Sequence, residues 1–235
     1  MIPTSPLRLA AGEVHIWWLD DDAERLDLTD FSAVLNASEK AQAARYVFAR
    51  DRARFVLARG ALRRLLGAYT ASSAEALRFA TGRYGKPVLE SCGPSYNISH
   101  SGALLLIAVA ATGLAVGIDV EQHRPMCDID SLAAVCLSSE ESQVWRRLPA
   151  DQKEAAFFRL WVRKEAWLKA TGDGLARPLQ SITVGLGAQP ALFASAQAGW
   201  SMHDLQFGPD HSAALVVAHP APDVSITDLR SLIFR

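Results

Sequence analysis

The chain has 235 residues, half of them hydrophobic and 21% charged, enough to bury a sizeable core as one large domain or two small ones. Its net charge of −1 supplies no global field for a nucleic acid or an anionic membrane, so neither is expected as a partner. Cys92, Cys127 and Cys136 fall in no C-x-x-C spacing, which argues against a disulfide framework or zinc site and fits a reducing cytoplasm. No charged segment followed by an apolar run opens the sequence, so no signal peptide is expected.

Residues 14–19 alternate as a strand and are closed by the turn-forming Asp20, Asp21 and Asp22. Ser38-Glu39-Lys40 opens a long helical run with Tyr46, Val47, Phe55, Leu62, Leu65 and Leu66 as its inward face. Gly67 is its expected end, and Asp51 is placed to cap a second helix after a break. Eight Lys or Arg against the single acid Asp51 lie between Lys40 and Arg64. Residues 77–80 read as a short strand, and Pro87 favours extended chain at Lys86. Residues 97–102 read as a polar turn before a strand over 104–110. The apolar stretch 103–118 is broken by Thr112-Gly113 and is shorter than the roughly 20 residues of a membrane helix, so a hairpin of 104–110 with 114–121 is predicted.

Ser138 and Glu141 have capping-box spacing. So do Asp151 and Glu154, which start a helix that Gly172 can end in a left-handed cap. On that helix Trp161, Glu165 and Lys169 recur every four residues and share a face. Residues 181–185, 202–207 and 213–218 complete the strands. His100-Ser101-Gly102-Ala103-Leu104 is echoed by His211-Ser212-Ala213-Ala214-Leu215, each after a long helix ending in glycine. The expected fold is therefore α+β, with two pseudo-symmetric halves, residues 1–113 and 114–235, and the active site in the cleft between them.

In Val116-Gly117-Ile118-Asp119-Val120-Glu121, strand alternation puts Asp119 and Glu121 on one face. Two carboxylates one repeat apart repel unless a cation sits between them, and oxygen donors suit Mg²⁺ or Mn²⁺. Glu165 is the natural third ligand, and Gly117 would let an anionic ligand approach the backbone. Taken alone, a D-x-E is more often a pair of solvated acids. Lys169 can hold a phosphate or merely support the helix by pairing with Glu165. Arg50 and Arg54 share a face that suits phosphate, although most arginines of that run are a solvated face. His100 sits among polar residues, where a buried structural role is disfavoured, and no Walker or Rossmann loop occurs. The inventory points to metal-assisted chemistry at a phosphate or pyrophosphate.

Tyr84-Gly85-Lys86-Pro87, Asn97-Ile98-Ser99-His100-Ser101, Gly117-Ile118-Asp119-Val120-Glu121 and Trp161-x-x-Lys164-Glu165-x-x-x-Lys169, in that order, resemble the 4′-phosphopantetheinyl transferases of the larger, surfactin-synthetase-activating type. The resemblance spans about residues 38–175 and implies transfer of phosphopantetheine from coenzyme A to a serine of an apo acyl or peptidyl carrier protein, releasing 3′,5′-ADP. It implies Mg²⁺ on Asp119, Glu121 and Glu165, and phosphate contacts from Ser99 and His100. It further implies nucleotide contacts from Lys86, Pro87, Arg50 and, less closely matched, Arg54, with Lys169 near the scissile phosphate. The general base is Glu165 or Glu141, the latter also serving a capping box. Ala43 departs from the pattern where some relatives carry a basic residue, and 125–137 is where relatives dock the carrier. A chain with both halves needs no second copy, so a monomer is expected. The competing readings are a metal-dependent nuclease or phosphodiesterase, disfavoured by the lack of broad positive charge, and a non-catalytic coenzyme A or carrier-binding protein, which would not need the carboxylates.

Overall fold

Each half of the sequence folds around one long helix laid on one sheet. The computed structural model describes residues 6–20, 26–82, 87–174, 177–190 and 199–233. In chain order the elements are β1 (Glu13–Asp20), α1 (Thr29–Ala33), α2 (Ala37–Ala44), α3 (Ala49–Thr70), β2 (Phe79–Thr81), β3 (Pro87–Leu89), β4 (Ser95–Ser101), β5 (Leu104–Ala110) and β6 (Val116–Gln122). They continue with α4 (Ile129–Ala134), α5 (Ser139–Trp145), α6 (Ala150–Thr171), β7 (Ser201–Leu205), β8 (His211–Val217), β9 (Asp223–Asp228) and α7 (Arg230–Ile233). One sheet has the order β4-β5-β1-β9, another β6-β8-β7, and β2 and β3 form a small ribbon.

Strand alternation sorts the core into layers. Leu105, Ile107 and Val109 of β5 pack with Leu62, Leu65 and Leu66 of α3. Ala214 and Val216 of β8 pack with Leu160, Ala166 and Ala170 of α6. The opposite faces, Leu104 and Leu106 of β5, Ile16 of β1, Ile118 of β6 and Leu215 of β8, form a third cluster between the two sheets. Each fully buried Leu or Ile there contributes about 2 kcal/mol, and this layer joins the halves. The order is thus α3, sheet, sheet, α6, an α+β arrangement in which the echoed segments lead to β5 and β8, each an interior strand of its sheet.

Several expectations change. The hairpin of 104–110 with 114–121 does not form: β5 pairs on one side with β4 and on the other with β1, so both its edges are taken, and β6 pairs with β8 instead. Residues 97–102 are mostly strand, since Asn97 to Ser101 belong to β4. The sheet changes between β5 and β6, but β9 returns to lie parallel to β1, so the end of the 114–235 unit packs with the first half. Phe48, not Asp51, precedes the second helix, which passes Gly67 and ends at Ala71 in a left-handed conformation (φ 52°). Gly67 is needed because a side chain there would press on the carbonyl of Ser72. Pro149 replaces Asp151 as the cap of α6, whereas Gly172 closes that helix with φ 75° as expected. Residues 181–185 form no strand, because the Val184 and Gly185 amides bond to Glu141 rather than to a neighbouring strand.

Gly117 has a packing role. A Cβ there would overlap the carbonyl of Ala166 and the amide of Ala170, so what approaches β6 is the backbone of α6, not a ligand. Neither helix nor strand can shift cheaply between two buried layers. We expect Gly117→Ala to destabilise the protein by about 3 kcal/mol or more, read by chemical denaturation. A loss under about 1 kcal/mol would show that the helix can retreat.

Candidate active site

β4 and β6 are edge strands of different sheets, and they face each other. An edge strand leaves alternate amides without backbone acceptors. Here side chains supply them. Asn97 Oδ1 accepts from the Ile118 amide (2.8 Å), Ser99 Oγ from Val120 (3.3 Å) and Ser101 Oγ from Gln122 (3.0 Å). Both serines then donate their hydroxyl protons onward, Ser99 to Asp119 Oδ1 (2.8 Å) and Ser101 to Glu121 Oε2 (3.0 Å). Carboxylates on the second sheet are therefore oriented by hydroxyls on the first.

α6 completes the cluster. The same packing that demands Gly117 brings Lys169 over β6, where its ammonium donates to Asp119 Oδ1 (2.6 Å), Ser99 Oγ (3.1 Å) and the Ile118 carbonyl (3.3 Å). Asp119 is 5% exposed, and its Oδ2 is buried with no protein partner. Burial raises the Glu165 pKa above its ordinary value, and the Asp119 and Glu121 charges add to this while Lys169 opposes it. The Glu121 pKa is raised by burial too, with Ser101's hydrogen bond opposing and Asp119's charge adding.

Among the described residues no three His, Cys, Asp or Glu side chains form a finished metal cage. The donor set nevertheless fits a hard cation: all-oxygen, mutually repelling, and with one buried carboxylate oxygen unsatisfied. Mg²⁺ ordinarily takes only one or two carboxylates and completes its shell with waters and phosphate oxygens.

His100 is the penultimate residue of β4, beside this cluster. It is exposed by surface area although protein atoms crowd it from several sides; that crowding, with the Arg54 and Lys169 cations, lowers its pKa. Arg54 is half-buried near His100, while Arg50 is exposed and within 3.7 Å of Asp51. Pro87 lies at the other end of β4 and β6, lining a cavity of about 290 Å³ with Tyr96 and Val116. Lys86 and the Tyr84-Gly85 step lie outside the described residues.

Two of the expected site residues have their polar atoms engaged within the protein. Ser99 is only 7% exposed and its hydroxyl is shared among Asp119, Val120 and Lys169, so it stands behind the carboxylate instead of facing a phosphate. Glu141 is 2% exposed. Its Oε2 takes the Ser138 amide (2.9 Å) and Lys164 Nζ (2.6 Å), and its Oε1 takes the Val184 amide (2.8 Å). No oxygen is left to accept a proton from a substrate. Glu39 in the first half makes the corresponding set: third residue of a capping box, paired with buried Arg63 of the long helix at 2.7 Å. Both long helices thus bury a cation on a capping-box glutamate.

Sequence reading missed Ser101 and Asn97 as positioning groups, although their period-2 spacing with Ser99 was visible. It also missed Arg163, fully buried and bidentate to Asp204 (2.8 and 2.6 Å). Breaking the Glu141–Lys164 pair should cost about 3–5 kcal/mol. We expect Glu141→Gln to lower the melting temperature and Glu141→Gln with Lys164→Met to recover most of it, the folded double variant keeping its turnover. A folded double variant without turnover would make Glu141 the base.

Residues 115–218 match the 4′-phosphopantetheinyl transferase superfamily, and residues 22–112 match a family described as 4′-phosphopantetheinyl transferase, N-terminal. The chain is 40% identical over 223 residues to the 4′-phosphopantetheinyl transferase HetI of Nostoc sp., covering 92% of each. It is 35% identical over 170 residues to psf-1 of Bacillus pumilus, covering 72% of this chain and 71% of that one. To Sfp of Bacillus subtilis it is 28% identical over 148 residues, or 61% of this chain and 64% of the relative. The inter-sheet carboxylate cluster is thus set in a chain that belongs to the 4′-phosphopantetheinyl transferase superfamily.

Proposed function

We propose that this transferase binds coenzyme A across the β4–β6 seam, with Asp119, Glu121 and Glu165 holding Mg²⁺ (Mn²⁺ being a workable substitute) and Lys169 beside the scissile phosphate. The observation that carries this is buried Asp119, fixed by Ser99 and Lys169 through one oxygen and unsatisfied at the other. When bound, the cation neutralises charge on the pyrophosphate as it breaks.

The carrier serine's oxygen attacks the phosphorus of the phosphopantetheinyl group, the bond to 3′,5′-ADP breaks, and the serine proton must go to a base within hydrogen-bond reach. Glu165 takes that proton in our reading. Glu165 stands close to Asp119 and Glu121 at the seam, whereas both oxygens of Glu141 are already taken by protein donors. Lys169 supplies a fixed positive charge at the seam. His100, mostly neutral at pH 7 through its lowered pKa, can donate to a phosphate without bringing a full charge. Arg50 and Arg54 suit the nucleotide phosphates, and the cavity beside Pro87 suits the adenine end, with Lys86 next to it in sequence.

The partner is an apo acyl or peptidyl carrier protein. Leu132 (41% exposed) and Val135 (60%) offer it apolar contacts in the 125–137 segment. Both sheets of the seam come from one chain, which supports a working monomer; in our reading residues 1–113 form the nucleotide half and 114–235 the catalytic half, with β9 returned to the first sheet. All three cysteines are free, which supports a reducing, cytoplasmic site of action; among the described residues no helix is long and apolar enough to cross a membrane.

Incubation with coenzyme A, Mg²⁺ and apo carrier should add one phosphopantetheine mass to the carrier. Asp119→Asn or chelation by EDTA should abolish the gain. No gain with any carrier would overturn the reading, and full activity in EDTA would remove the metal.

The raised carboxylates give a second test. Glu121 and Glu165 hold protons more tightly folded than unfolded, so their contribution is favourable near the unperturbed 4.5 and is lost as pH rises through the raised values. At neutral pH their charge opposes folding. Glu165→Gln should therefore raise the melting temperature of metal-free protein at pH 7.5, less so at pH 5, while transfer is lost. An unchanged or lower melting temperature at pH 7.5 would contradict the crowding.

A further inference from the structure

Tyr46 and Val47 were expected inside, on the face of a helical run breaking only near Asp51, but the chain turns earlier, between α2 and α3. Tyr46 folds back on Phe55, ring centroids 5.5 Å apart, while Val47 is 90% and Phe48 67% exposed. The corner is firmly held, with α2 closed onto Gln42 and Ala43 and the Arg52 amide bonded to Phe48 O (3.1 Å). Two adjacent apolar side chains on such a rigid corner form a knuckle that water alone does not favour.

Its surroundings are cationic. Lys40, Arg45, Arg50 and Arg52 are all exposed; among the described residues Asp51, paired with Arg50, and Asp27, which lines the same groove as Lys40 and Arg52, offset them in part. Lys40, Arg45 and Arg52 make no ion pair among the described residues. Ala44 and Ala49 bracket the knuckle and also line a groove of about 930 Å³, whose apolar walls include Leu26, Leu28 and Val56. The corner borders the seam, because Asp51 and Arg54 in the first turns of α3 lie near enough to His100 to act on its charge.

We propose that the α2–α3 corner is a docking surface for the carrier protein, contacting an acidic segment of it that carries apolar side chains. The inference rests on the transferase reading and adds a contact on the first half, away from 125–137. Charge complementarity selects the partner: the basic rim attracts an acidic surface and speeds its approach, while the knuckle and groove hold it. A carrier gripped from both halves presents its serine across the seam, where the carboxylates lie.

The test uses the full chain with Val47→Ser and Phe48→Ser together, and separately Arg45→Glu. Binding of a carrier whose acceptor serine is changed to alanine, measured by interferometry, reads docking apart from transfer. The double variant should weaken that binding and raise KM for apo carrier about tenfold or more, leaving KM for coenzyme A, kcat at saturating carrier and the melting temperature unchanged. Arg45→Glu should lower kcat/KM for the carrier and flatten its salt dependence. Unchanged carrier binding, or an equal rise in KM for coenzyme A, would overturn the proposal. So would wild-type binding to anionic vesicles that the double variant loses while carrier kinetics stay the same. Carrier binding at the corner without any phosphopantetheine transfer by wild type would instead sink the transferase reading and leave the docking intact.

Discussion

Three hydrogen-bonding side chains on one edge strand hold the site together. Asn97, Ser99 and Ser101 give the amides of Ile118, Val120 and Gln122 the acceptors that a neighbouring strand would normally provide. Each such bond is worth about 1 kcal/mol net, and an amide left unpaired at a buried seam costs more than that. Backbone pairing could have merged the two sheets into one. Side-chain pairing keeps them distinct and frees the serine hydroxyls to point at Asp119 and Glu121. The carboxylates lie on one half and their positioning hydroxyls on the other, so the site is set only when the halves are docked.

The internal repeat is clearest in the buried charges. Each half has a short capped helix whose third residue, Glu39 or Glu141, meets a buried cation of a 22-residue helix, Arg63 or Lys164. Each cation also donates to two backbone carbonyls, Arg63 to Ala74 and Leu77 and Lys164 to Cys136 and Leu179. Buried ion pairs add little net stability, but losing one partner is expensive, so they fix which helix face turns inward. On α6 that fixed face leaves Glu165 and Lys169 at the seam. Glu141 is thus one member of a duplicated structural device, and its chemical attractiveness as a base came from reading it without its partner.

That Asp119, Glu121, Glu165 and Lys169 come together was legible because two periodicities, two residues on a strand and four on a helix, are local and survive folding. The Gly172 end of α6 and the Ser138–Glu141 box were legible from equally local capping signals, whereas the Asp151 cap was not borne out. Strand neighbours were not. An apolar stretch with a central Thr-Gly turn looks like a hairpin whether or not β1 takes one of its edges, and only the fold decides that. Gly117 showed in sequence that something approaches the strand closely, without showing that it was a helix. Val47 was misread because helical periodicity was carried through a break that no cap signal marks.

The central claim is that side chains of β4 hold β6 in place and with it the carboxylates. Site-resolved hydrogen exchange of the Ile118 amide tests it most directly, comparing wild type with Asn97→Ala. Ile118 should be strongly protected in the wild type and lose protection by orders of magnitude in the variant, while β8 and α6 amides stay protected. An Ile118 amide equally protected in both proteins would mean that something other than this side-chain seam holds the site.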